Sequence, residues 1–225
     1  MRHRARIFGR WCAPAVRAQT VRDFRWLLLI DPATPSRWRL KILALADFPR
    51  ASLVEVPITG PMFPDGNTGP AICDAVRPWL DSAADLLLTT RLDNDDVCHA
   101  RAIERIRRAA AEATPPAVLD FTRFWRRGVG GMTIHEAPTG SALISLVEPG
   151  GPTAQTVYCD HHAKLGEHAP IERILDGPWW MYLVHDGTGG NSSVRSLRGR
   201  RVRPRTPPGF PTMTAARFLA LTPGP

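Results

Sequence analysis

Three short apolar runs constrain this chain more than anything else in it: "FRWLLLID" (Phe24 to Asp31), "SLVEVPI" (Ser52 to Ile58) and "DLLLTT" (Asp85 to Thr90). Each is too short for a buried helix, and each is bounded by turn-forming or charged residues. That is the pattern of strands covered on both faces. Between them lie segments of helical period. Trp38, Ile42 and Leu45 mark a helix that runs through Ala46, with Thr34 or Ser36 as its cap, and a second helix spans 71–84 with a break at Pro78. Ahead of the first run, Ile7, Phe8, Trp11, Cys12 and Ala15 recur at helical spacing between Arg4 and Gln19, with Pro14 a kink or stop. "GPMFPDGNTGP" (Gly60 to Pro70) is a loop by composition.

The third run leads into a helix expected from Val97 to Ala113. After it, "AVLDFTRFW", "VGGMTIHEA" and "SALISLVE" read as strands, Ile171 to Leu175 as a short helix, and "WWMYLVH" (Trp179 to His185) as a late strand. Strand and helix alternate in the first half, whereas strands and loops dominate the second. The fold class expected is α/β: a single-domain α/β/α sandwich with a mostly parallel central sheet, its second half holding a ligand.

Composition narrows the function classes. A chain of 225 residues that is 44% hydrophobic can bury a core. Its longest apolar runs are far too short to span a bilayer, and its basic first residues lack the apolar stretch of a secretory signal, so a cytoplasmic location is expected. Cys12, Cys73, Cys98 and Cys159 are widely spaced, which reads as four reduced thiols. The net charge of +8 invites a nucleic-acid reading, but Lys41 and Lys164 are the only lysines, and such an Arg bias is also what a GC-rich genome produces. The basic block "SVRSLRGRRVRPRTPPG" is either a solvated tail or a surface for phosphates or an anionic membrane.

Against that charge, "LLLTTRLDNDD" (Leu86 to Asp96) is anomalous, because Asp93, Asp95 and Asp96 crowd together just past an apolar strand. In open α/β sheets ligands bind beyond the carboxyl ends of strands. Asp93 and Asp95 point the same way if the segment is extended, and a divalent cation would relieve their repulsion. Oxygen-only ligands favour Mg²⁺ or Mn²⁺. A helical Ca²⁺ loop does not fit, since its glycine and distal glutamate are missing. The structural alternative is equally open: Asp95 or Asp96 caps the following helix.

"TTRLDNDD" resembles the corresponding motif of the bacterial rhamnosyltransferase family. So do "CAPAVRAQTVRDFRWLLLIDPATP", "SLVEPGGPTAQTVYCDHH" and "WWMYLVHDGTGGNSSV", and the likeness runs roughly from Ala5 to Val194. The resemblance implies a nucleotide-diphospho-sugar transferase (GT-A type) fold over 1–194, with 195–225 an Arg/Pro-rich segment. It also implies a fold without the family's usual first strand, because the expected N-terminal helix follows Met1 almost directly. The implied activity is metal-dependent transfer of a sugar, rhamnose by the family's label, from a nucleotide-diphosphate donor to a glycan or lipid-linked acceptor. Mn²⁺ or Mg²⁺ is the implied cofactor, and the implied place of work is the cytoplasm or the inner face of the membrane.

By the same resemblance Asp93 sits by the ribose or metal, Asp95 is the main metal ligand, and Asp96 is an outer partner or a helix cap. Arg91 either meets the phosphates or pairs with the acids. Asp31 either reaches the base or ribose or opens a turn. His185 is either a further metal ligand or structural. Glu148 leads the candidates for the base that deprotonates the acceptor, ahead of Asp160, His161 and His162. Trp179 and Trp180 either stack on a sugar or fill the core. Two other classes remain: an inactive relative that binds nucleotide or carbohydrate, and a basic nucleic-acid-binding protein, which the acidic cluster disfavours.

Overall fold

The computed structural model describes residues 1–57, 68–81, 83–128, 131–185, 200–202 and 207–210. The loop expected at 60–70 therefore falls mostly outside the described residues, as does most of the Arg-rich block and of 195–225.

The chain opens with a helical rod in three parts: α1 (Arg2–Ile7), a π-helical turn at Phe8–Cys12, and α2 (Ala13–Arg17). Pro14 has no N–H and its ring crowds the preceding turn, and the widened turn just before it accommodates that. Strand β1 (Trp26–Ile30) follows, then α3 (Ser36–Ala46) and β2 (Ala51–Glu55). The start of α3 is Pro35 with no side-chain cap, so neither Thr34 nor Ser36 plays the capping part expected of it. Next come α4 (Thr68–Val76), a 3₁₀ turn at Arg77–Trp79, and β3 (Leu86–Arg91).

The helix expected from Val97 is shorter than its sequence pattern. Val97–Cys98 form β4, and α5 begins only at Ala102 and ends at Glu112. The second half supplies β5 (Ala117–Asp120), β6 (Arg123–Gly128), β7 (Gly131–Glu136) and β8 (Ile144–Pro149). Ile171–Arg173 is a strand, β9, rather than a short helix, because it pairs in parallel with β5. Strands β10 (Trp180–Leu183) and β11 (Arg200–Val202) complete the list.

The fold is α/β, and its sheets are mixed. Among the described residues β1 and β2 form a parallel pair, β3-β8-β5-β9 a four-stranded sheet, and β11-β7-β6-β10-β4 a five-stranded one. The expectation of a mostly parallel sheet gives way here, since β8 runs antiparallel to both β3 and β5. A continuous apolar run reports burial on both faces, and it reads the same in either direction.

The four-stranded sheet is covered on both sides. Leu119 and Val147 face a core built with Ile106, Ala109 and Ala110 of α5. Val118, Ile144 and Leu146 face Val157, Leu165 and Ala169. The N-terminal rod packs Ile7, Trp11 and Val16 against β4 and β10, with Met181 fully buried among them. This packing lays the rod across the stretch that joins β3 to β4, where the aspartates are.

Candidate functional site

Strand β3 leaves the sheet at Arg91, and the chain turns at once, with the Asp96 amide donating to the Asp93 carbonyl at 3.1 Å. After the turn the chain joins a different sheet, where β4 pairs with β10. The segment is therefore not extended, and the aspartates part company.

Asp93 stays half-exposed and takes a two-pronged ion pair from Arg91, whose Nε and Nη2 donate to it at 3.0–3.1 Å. Planar guanidinium-carboxylate pairs of this kind are strong and directional. Asp95 turns inward. Its Oδ2 receives Arg4 Nη1 at 2.5 Å and lies 3.1 Å from Nε2 of His185. His3 stands behind His185, Nε2 to Nδ1 at 3.5 Å.

Asp96 is buried deepest, 2% exposed, and its Oδ1 has no partner among the described residues. Burial first, then the charges of Asp93 and Asp95, push its carboxyl well above the usual carboxylate range. It caps no helix. The first turn of α5 is served instead by Gln19, whose Oε1 accepts the Ile103 amide at 3.0 Å. The Gln19 Nε2 donates to the carbonyls of Ala15 and His99.

A second wall comes from the loop after β8. Glu148 is buried and spends both oxygens on it, accepting the amides of Gln155 and Thr156 at 2.8 and 2.7 Å. In register Glu148 lies opposite Leu87, four residues before Arg91, so it sits roughly 13 Å along β3 from the turn. Beyond its two amides the loop carries Tyr158, Asp160, His161 and His162. Tyr158 and both histidines feel the charges of Arg91 and Asp93.

Burial lowers both histidines. His162, whose Nδ1 meets the Gly140 carbonyl at 2.5 Å, comes down to about 4, so both rings are neutral at pH 7. Asp160 accepts its neighbour's amide and lies 3.2 Å from His168 Nε2. Hydrogen bonds from His161 and His168 outweigh its burial and hold its carboxyl below the usual range.

The structure thus brings Arg91, Asp93, Asp95 and His185 to one end of β3, with Asp160 on the facing loop. Asp31 sits elsewhere, at the end of β1. Its carboxylate accepts the Ala33 amide at 2.7 Å, which is the turn geometry, and no hydrogen bond or ion pair among the described residues joins it to the aspartates. Trp180 stacks on Phe124 at 4.5 Å and donates to the Phe121 carbonyl, a core role. Trp179 donates to Asp176.

Sequence reading missed Arg4 and His3. Neither has a local pattern that could reveal it, since each comes to the aspartates only through the docking of α1. Gln19 lies just past the end of α2, and nothing in its local pattern gives its function.

Asp95 and His185 present one oxygen and one nitrogen to the same point, two donors of kinds that a divalent cation accepts. Among the described residues no three His, Cys, Asp or Glu side chains gather into a ready metal cage. None of the described helices is long and apolar enough to cross a membrane.

A family model described as "putative rhamnosyl transferase" matches residues 1–198. No curated protein matches the chain.

Proposed function

This chain belongs to the rhamnosyl transferase family, and on that premise we propose that it is a glycosyltransferase whose nucleotide-diphosphate sugar binds at the carboxyl end of β3. The observation that carries this reading is the sharing of one oxygen, Asp95 Oδ2, by Arg4 and His185. It puts an acid, an imidazole and a guanidinium at one point beyond a sheet strand. A divalent Mn²⁺ or Mg²⁺ would be held there by Asp95 and His185, with Asp93 at the margin beside the ribose. When bound, that cation neutralises the negative charge that grows on the departing diphosphate. The fold, on this reading, is the nucleotide-diphospho-sugar transferase type.

The chain's own residues have distinct parts in the transfer. Arg4 and Arg91 are fixed cations that meet the phosphates once substrate competes for their carboxylate partners. The acceptor oxygen attacks the anomeric carbon, the bond from that carbon to the diphosphate breaks, and the acceptor proton passes to a base. Asp160 is the base we assign, because its loop faces Arg91 and Asp93 and its carboxylate stays ionised. Glu148 is a positioning residue on this reading: its two amide bonds set the loop that presents Asp160. The acceptor is a glycan or a lipid-linked sugar.

Calorimetric titration with nucleoside diphosphates, with and without Mn²⁺, tests the site. Metal-dependent binding that is lost in Asp95→Ala supports the reading, and its absence in folded wild type rejects it. A second reading keeps the binding and drops the turnover, and the Arg4–Asp95 pair favours it, since a guanidinium already occupies the carboxylate. It predicts nucleotide binding indifferent to Mn²⁺.

A further inference from the structure

A cleft of about 470 Å³ lies between the N-terminal rod and α3, lined by Arg2, Arg6, Arg10, Trp38, Lys41 and Leu45 among others. It is not part of the aspartate site. Arg2 and Arg6 are four residues apart and share a face of the rod, whereas Arg4, midway between them, points the other way to Asp95. One short helix therefore serves two sites, the aspartates on one side and the cleft on the other.

The cleft collects positive charge without compensation. None of the residues lining it is acidic, and none of its three arginines nor Lys41 makes an ion pair among the described residues. Elsewhere arginines do find acids, as Arg39 finds Glu55 and Arg105 finds Asp176. Four cations around one concavity repel each other, and an anion bound among them relieves that repulsion.

The walls add shape. Lys41 Nζ sits 5.3 Å from the centre of the Trp38 ring, a cation-π contact that holds the ammonium at the rim. Gly9 lets the two helices approach: a Cβ there would meet Leu45 Cδ2 at 2.6 Å. The floor is thus apolar and narrow, and the rim is basic.

We propose that this cleft is a second anion-binding site, specific for a phosphate or diphosphate group presented beside an apolar moiety. Guanidinium forks suit phosphate oxygens, and Trp38 with Leu45 suits the apolar neighbour. A soluble phosphorylated ligand and a phospholipid headgroup share this chemistry.

The test uses the full chain in chelator, which removes any contribution of a metal at the aspartates. One arm titrates pyrophosphate. The other measures co-sedimentation with phosphatidylcholine vesicles with and without phosphatidylglycerol. Arg6→Ala combined with Lys41→Ala is compared with Arg50→Ala combined with Arg108→Ala, which removes the same charge from elsewhere on the surface. The expected result is binding in at least one arm that falls about tenfold or more in the cleft variant and little in the control. Pyrophosphate binding alone identifies a soluble ligand, and vesicle binding alone a headgroup. Equal losses in both variants, or no binding in either arm by folded wild type, overturn the proposal. Pyrophosphate binding that falls in Arg91→Ala but not in the cleft variant belongs to the aspartate site and overturns the proposal, which separates this result from the fate of the donor-site reading.

Discussion

At Asp96 a carboxyl group is enclosed beside two others, with Oδ1 unpartnered and its pKa raised by burial first and by Asp93 and Asp95 next. The consequence for stability has a definite sign. In acid, near pH ~4 and below, both folded and unfolded chains carry the proton and nothing is lost. As pH rises the unfolded chain ionises while the folded one holds its proton. Stability present in acid therefore drains away towards neutrality. Asp96→Asn removes this loss, so in chelator its melting temperature should exceed wild type at neutral pH by a few degrees and converge with it near pH ~4. Thermal melts across that range check it, and parallel curves at all pH values would contradict it. Arg91, 11% exposed, and Asp93, 39% exposed, are a partly buried pair, and Asp93→Ala, which leaves the guanidinium without that partner, should cost about 1–3 kcal/mol.

A few buried side chains tie elements that are distant in sequence. Gln19 ties the end of α2 to the start of α5 through Ala15, His99 and Ile103. Gln19→Ala leaves those groups to themselves in a buried place and should destabilise the protein by about 1–3 kcal/mol, read as a lower midpoint in urea. The loop from Gln155 to Ala163 hangs on Glu148 at one end and on His162 at the other. His162 is lowered to about 4, chiefly by burial. Its contribution is whole above the ordinary histidine value and is lost as pH falls through about 4. His162→Gln should flatten the acid limb of a stability profile between those values. Its slope there is opposite in sign to that of Asp96, so the two variants separate the two effects.

For the whole molecule, strands paired on both edges and buried on both faces should open last. β5 and β8 meet both conditions, while β1 and β2 form an isolated two-stranded pair with half-buried residues. Amide hydrogen exchange should therefore be slowest in β5 and β8 and fastest, among these strands, in β1 and β2. Equal protection throughout would mean that the small sheet is held by more than its own ladder. Trp11, buried where the rod meets the five-stranded sheet, is the matching core probe: Trp11→Ala should cost about 3–5 kcal/mol.

Much of this was legible in the chain itself. The apolar runs located β1, β2, β3, β5, β8 and β10, and "TTRLDNDD" put an acidic turn past a strand end, because burial and turn chemistry are local signals. Packing alone decided the rest. An apolar run carries no direction, so the mixed sheets came from which strands met. Val97–Cys98 left the helical pattern because β10 offered them a ladder. Arg4 and His185 reached Asp95 from 91 and 90 residues away, and no spacing encodes a meeting that depends on how a helix docks on a sheet.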